Sequence, residues 1–93
     1  MIICIDYDDT YTRDPDYWML VIEAALVKGH EVICCTMRYP EEAEDMEVKF
    51  RSRICPIYFT SRKAKKPYLA IRGINPDVWI DDSPHWILND ASS

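Results

Sequence analysis

Three side chains in one short stretch, Asp6, Asp8 and Thr10, come directly after an apolar run of Ile2, Ile3, Cys4 and Ile5. Four consecutive apolar residues suit a strand buried on both faces, as in parallel sheets covered by helices. Carboxylates placed just after such a strand stand at its carboxyl end, where open α/β sheets bind ligands. With Asp9 beside them, three acids in four residues repel one another unless a cation sits among them. Oxygen-only ligands of this kind select a hard cation such as Mg²⁺. Asp is also common in turns, so the plainer reading of the stretch is a strand ending in an acidic turn.

Periodicity indicates the elements that must position these residues. Residues 1–6 read as strand one, and residues 7–16 as a polar turn in which Asp14 or Asp16 caps the first helix. From Tyr17 to Lys28 the apolar residues Trp18, Met19, Ile22, Ala25 and Leu26 have the spacing of an amphipathic helix, which Gly29 stops. Glu31 to Thr36 reads as a second buried strand. Pro40 opens a helix running to about Arg51, with Ala43, Met46 and Phe50 on its apolar stripe. Ile54 to Thr60 reads as strand three, with Pro56 tolerated near an edge. Pro67 to Gly73 is the third helix, Asp77 to Ile80 strand four, and Ser83-Pro84 opens a closing helix with Trp86, Ile87 and Leu88. This alternation predicts one domain over residues 1–93. The expected fold is a three-layer α/β/α Rossmann-like sandwich around a parallel four-stranded sheet of order 3-2-1-4, with right-handed crossovers.

Composition narrows the chemistry. The chain has 93 residues, of which 48% are hydrophobic, enough for one compact core. It has only two glycines, Gly29 and Gly73, which excludes a glycine-rich phosphate loop. Side chains and helix ends must do that work instead. Cys4, Cys34, Cys35 and Cys55 all lie in apolar stretches and form no C-x-x-C pair, which predicts buried free thiols in a reducing compartment. No apolar stretch reaches 18 residues and no basic leader precedes strand one, so a soluble, cytoplasmic protein without membrane contact is expected. The net charge of −5 argues against a whole-surface nucleic-acid binder. Seven of the eleven cations nevertheless fall within residues 49–66. A helix dipole accounts for Lys49, Arg51 and Arg53 at a helix end, but not for Arg62, Lys63, Lys65 and Lys66 beyond the next strand.

Polar residues thus gather at the carboxyl end of every predicted strand. Strand one gives Asp6, Asp8 and Thr10; strand two ends at Thr36 with Arg38 close behind. Strand three precedes the basic cluster, and strand four ends in Asp81 and Asp82. Each has a plain structural explanation, such as Asp82-Ser83-Pro84 capping a helix. Their joint placement at one rim does not.

In this order the residues resemble the four motifs of the haloacid-dehalogenase-like phosphohydrolases, along essentially the full chain. Asp6-Tyr7-Asp8-Asp9-Thr10 is similar to the family's D-x-D-x-T. Thr36 after its apolar run is similar to the second motif, and a lysine after strand three to the third. Ile80-Asp81-Asp82-Ser83-Pro84 is similar to the fourth, close to the Asp-Asn-Ser-Pro of the carboxy-terminal-domain phosphatases. The resemblance implies a Mg²⁺-dependent phosphomonoesterase. In it Asp6 is the nucleophile that forms an aspartyl-phosphate, and Asp8 the general acid and base. A turn beginning at Tyr7 would separate those two jobs. It also implies Mg²⁺ on Asp6, the backbone carbonyl of Asp8 and Asp82, with Asp81 in support, and a phosphoryl group held by Thr36 and a lysine. Lys65 is preferred for that lysine, with Lys63 and Lys66 as rivals. Asp9, Thr10, Arg38 and Lys66 are the expected substrate contacts. Asp9 stands where many relatives carry Gly.

The resemblance departs from most of the family in one respect: neither the stretch after Thr10 nor that after Thr60 has room for a cap domain. An open site implies a phosphorylated substrate that is either small, such as a nucleotide, or macromolecular, such as a nucleic-acid end. A second copy of the chain could supply a lid. Two rival readings use the same scaffold: a phosphorelay receiver, and a non-catalytic module binding phosphate or a partner. A receiver requires an aspartate after strand three, where this chain has Phe59-Thr60-Ser61, and a fifth strand.

Overall fold

Alternate side chains on the central strands face two different cores, and this decides the architecture. On β1 (Ile2–Ile5) and β2 (Glu31–Thr36), Ile5, Val32 and Cys34 belong to one buried cluster, and Cys4, Ile33 and Cys35 to another. A strand with apolar residues on both faces needs cover on both. In the computed structural model, which describes residues 1–44, 46, 50 and 54–92, that cover is helical. The first cluster receives Met19 and Ile22 of α1 (Pro15–Val27), and the second Leu69 of α2 (Lys65–Ile71). A short α3 (His85–Leu88) packs on α2.

The sheet is completed by β3 (Ile57–Phe59) and β4 (Val78–Ile80), giving the order β3-β2-β1-β4 with every pairing parallel. This is the three-layer α/β/α arrangement expected from the alternation of elements. The pairing continues past the strands: Asp6 N–H donates to the Ile80 carbonyl at 2.9 Å, and Thr60 N–H to the Thr36 carbonyl at 2.8 Å. Those two bonds carry the β1–β4 and β2–β3 pairings to the same rim, and the β1–β2 ladder joins the two pairs. Only residues 6–14 link β1 to α1, and only residues 60–64 link β3 to α2, so neither connection carries a cap domain.

Local chemistry explains where elements begin. Asp14 caps α1, its Oδ1 accepting from Tyr17 N–H at 3.3 Å, and Pro15 is the first helical residue. Gly29 and Gly73 end α1 and α2 at φ of 86° and 77°, a region that L side chains avoid. Helix α2 begins at Lys65, two residues before Pro67. A proline inside the first turn is harmless there, because those N–H groups have no intrahelical acceptor. Asp90 instead reaches back to accept from Ala64 N–H at 2.7 Å. Strand β3 starts at Ile57 rather than Ile54. Pro56 has no N–H to give the ladder, although its carbonyl accepts from Cys34 N–H at 2.8 Å. The helix expected from Pro40 to about Arg51 opens as a 3₁₀ turn, Pro40–Glu42. Residues 45, 47–49 and 51–53 of that span lie outside the described residues. Met46 and Phe50 are buried in the first core cluster, as their stripe positions require.

Candidate functional site

Asp6 leaves β1 at the edge of the core and is 8% exposed. The chain then turns tightly, with Thr12 N–H donating to the Tyr7 carbonyl at 3.1 Å and Tyr11 N–H to the Asp6 carbonyl at 3.3 Å. Two fully buried tyrosines anchor the turn: Tyr7 and Tyr11 stack at 5.7 Å, and Phe50 meets both edge-on. Burying Tyr7 and Tyr11 leaves Asp8 and Asp9 at the surface. Asp9 adopts φ 60°, a left-handed conformation that Asp tolerates better than most side chains. Its N–H donates to Thr12 Oγ1 at 2.9 Å.

Lys65 stands at the centre of the rim. Its Nζ donates to Asp6 Oδ1 at 2.8 Å and to Asp81 Oδ2 at 2.6 Å, and the Lys65 and Asp81 side chains are each only 3% exposed. Thr10 braces the other side. Its hydroxyl lies 3.2 Å from Asp6 Oδ2 and 3.0 Å from Asp82 Oδ1, while Asp82 N–H donates to it at 3.1 Å. A hydroxyl has one proton, so it serves one of these carboxylates at a time. Ser83 N–H donates to Asp81 Oδ1 at 2.9 Å, which fixes the loop after β4.

Burial and charge pull these groups in different directions. Burial lifts the Asp6 carboxyl to about 7, against the pull of the Lys65 ammonium. Burial also disfavours the charged form of Lys65, but the Asp6 and Asp81 carboxylates outweigh it and hold the ammonium above its ordinary value. Asp82 is more exposed. Its partial burial is outweighed by hydrogen bonds to Asp6, Thr10, its own backbone and Ser83, and the carboxyl lies below its ordinary value.

The structure brings together most of the residues expected from the sequence. Asp6, Asp8, Asp9, Thr36, Lys65, Asp81 and Asp82 line one open pocket of about 170 Å³. Of the three candidate lysines, Lys65 lines it. Lys63 points outward, 70% exposed and 3.9 Å from Asp90, and Lys66 is exposed on α2. Thr10 sits behind the carboxylates and is 6% exposed, so its hydroxyl braces Asp6 and Asp82. Arg38 grips Asp8, its Nε and Nη2 donating to the two carboxylate oxygens at 2.9 and 2.7 Å. Its Nη1 donates to the Glu42 carbonyl at 2.7 Å. Arg62 staples the same loop, donating to the Met37 carbonyl at 2.6 Å and pairing with Glu42 at 3.2 Å. Met37 and Trp86 also line the pocket, and sequence reasoning missed both. Met37 had no signal, and Trp86 read as the apolar face of the closing helix.

One carboxylate oxygen from each of Asp6, Asp81 and Asp82 can be chosen so that all three lie within 4.8 Å of one another. An all-oxygen, acid-rich set with a costly buried charge at its base has the chemistry that a hard divalent cation satisfies. The three carboxylates thus offer oxygen ligands for a metal ion. No family model matches the chain, and no curated protein or solved structure does.

Proposed function

We propose that this protein is a Mg²⁺-dependent phosphomonoesterase of the uncapped haloacid-dehalogenase-like kind. The observation that carries the reading is the convergence of Asp6, Thr36, Lys65, Asp81 and Asp82 on one pocket, from segments that end or succeed all four strands of the sheet. Asp6 attacks phosphorus, the bond to the leaving oxygen breaks, and an aspartyl-phosphate forms. Asp8 gives a proton to that oxygen and then takes one from the water that attacks phosphorus and releases Asp6. Both Asp8 oxygens are held by Arg38, so Asp8 acts once the guanidinium turns to the incoming phosphoryl group. Lys65 neutralises charge on the phosphoryl oxygens and on Asp6, and Thr36 donates a hydrogen bond from the second strand. Asp6, Asp82 and the Asp8 carbonyl, supported by Asp81, would hold Mg²⁺, which offsets the repulsion between an anionic nucleophile and an anionic phosphate.

Cellular setting and substrate access complete the reading. All four cysteines are buried and free, and burial pushes the Cys55 thiol up to about 12. Such inert thiols support a reducing, cytoplasmic location. Among the described residues no helix is long and apolar enough to cross a membrane. With no cap, closure over the substrate falls to a macromolecular substrate or to a second copy of the chain.

The test is turnover of a chromogenic phosphomonoester. Asp6→Asn should abolish it while the protein stays folded, since Asn fills the same space and removes a buried charge. Excess chelator should abolish it in the wild type. Full activity in either condition overturns the mechanism.

A further inference from the structure

Trp86 is an aromatic residue that the core does not use. Of the eleven aromatic side chains, only Tyr17, Tyr39 and Trp86 pack against neither core cluster. Tyr17 stacks edge-on with Trp18, and the Tyr39 ring carries Arg62 at 5.0 Å. Trp86 alone of the three lines the carboxylate pocket. It is half-buried, touches His85 edge-on at 4.8 Å, and its backbone N–H donates to the Ser83 carbonyl at 3.0 Å. That bond ties the start of α3 to the loop that follows Asp81 and Asp82, which places the Trp86 backbone beside the acids.

The rest of the lining says what can lie on that indole. Five aspartates face one lysine, and its ammonium already contacts two of them. Arg38 already neutralises Asp8, and the single lysine of the lining is taken up by Asp6 and Asp81, so the lining keeps no spare positive charge for a leaving group that is itself anionic. The pocket is open to solvent, so a phosphoryl group bound among the carboxylates directs its leaving group toward the opening. Of the residues that line it, Trp86 and Met37 are the two apolar ones, the surface that an uncharged leaving group can contact. A flat, uncharged ring satisfies both conditions, and aromatic side chains stack on any nucleobase through its π face.

We infer that Trp86, with Met37, is a stacking platform for a nucleobase, and that the substrate is a phosphorylated nucleoside. This rests on the phosphohydrolase reading of the pocket. Trp86 acts on selectivity by positioning the leaving group and takes no part in bond making.

The experiment compares wild type with Trp86→Phe, Trp86→Leu and Trp86→Ala, in saturating Mg²⁺. Substrates are nucleoside 3′- and 5′-monophosphates, a short oligonucleotide with a terminal phosphate, and glycerol phosphate. The wild type should prefer the nucleoside substrates. The ratio of their kcat/KM to that of glycerol phosphate should fall roughly tenfold in the Leu and Ala variants, through KM, and recover largely in the Phe variant. The leaving nucleoside of a monophosphate is uncharged, whereas that of the oligonucleotide carries phosphodiester charge, so the monophosphates should be the better substrates, and a preference for the oligonucleotide overturns the charge argument. Trp86→Leu keeps apolar bulk, so it remains informative if Trp86→Ala does not fold. Equal effects on all substrates, or an unchanged ratio in Trp86→Leu, overturn the inference. If nothing is turned over, the phosphohydrolase reading fails, and tryptophan fluorescence titrated with a nucleoside monophosphate decides the platform separately. Quenching that Trp86→Leu removes sustains it, and absence of such quenching overturns it.

Discussion

Replacing Lys65 by Met tests the electrostatic centre of the rim directly. The variant keeps most of the apolar stem and removes an ammonium that lies 2.8 Å from Asp6 and 2.6 Å from Asp81, with all three side chains at most 10% exposed. Breaking a buried ion pair from one side leaves an uncompensated charge and costs about 3–5 kcal/mol. A domain of this size is stable by roughly 5–14 kcal/mol, so the loss is a large share of the whole. The pH dependence carries a second signature. The Asp6 carboxyl lies at about 7 in the folded protein against 3.8 as its ordinary value. Between those values the folded state binds more protons than the unfolded state, so stability falls as pH rises. From about pH 5.5 to about pH 8 this contribution amounts to a loss of about 2 kcal/mol in the metal-free wild type. Without Lys65 the Asp6 carboxyl rises further, and the same interval should cost about 3 kcal/mol or more. Urea melts of both proteins in excess chelator, at the two pH values, measure this. A wild-type midpoint at about pH 8 together with a wild-type pH slope would refute the assignment of Lys65 as the counter-ion.

Two further pairs of roles at the same rim separate by substitution. Asp82→Asn should raise the Mg²⁺ concentration needed for half-maximal activity, because Asp82 faces the pocket and its hydrogen bonds come from Thr10 and Ser83 rather than from a cation. Asp81→Asn should instead lower stability first, because Asp81 is a buried partner of Lys65. A larger Mg²⁺ requirement in Asp81→Asn would reverse these assignments. Arg38→Gln should raise KM for phosphomonoesters and cost less than about 1 kcal/mol of stability, since Asp8 is 46% exposed and solvent screens the pair. A stability loss as large as that of Lys65→Met would make Arg38 structural.

Much of the fold was legible because burial leaves a pattern. Glu31–Thr36 forms β2 with the bounds that its apolar run predicts, and Cys34 and Cys35 face opposite cores as strand alternation demands. The polar residues after each strand were legible for the same reason, since they interrupt apolar runs. Partnerships across the chain were not. Asp8 and Arg38 are 30 residues apart, and nothing near either one indicates that Arg38 holds both carboxylate oxygens. Arg62 read only as part of the basic cluster after strand three, yet it reaches back across the rim to Met37 and Glu42.

The choice among the lysines shows where sequence reasoning stopped and which signal it lacked. Ser61 and Arg62 take φ of 54° and 70°, two successive left-handed residues without a glycine. That conformation has no sequence signature and is uncommon for such side chains, yet it sets which way Lys63 to Lys66 emerge. The detour is held by Arg62 N–H on the Met37 carbonyl at 2.9 Å and Ala91 N–H on the Arg62 carbonyl at 2.7 Å. The helix start, which the structure puts at Lys65 rather than at Pro67, supplies the signal that was missing. Lys65 and Lys66 occupy the first turn of α2, where the helix dipole disfavours cations. Stability alone would place acids there, as α1 does with Asp16. A lysine kept at the unfavourable end of a helix needs compensation from outside it. Asp6 and Asp81 provide that compensation for Lys65, from the ends of two neighbouring strands.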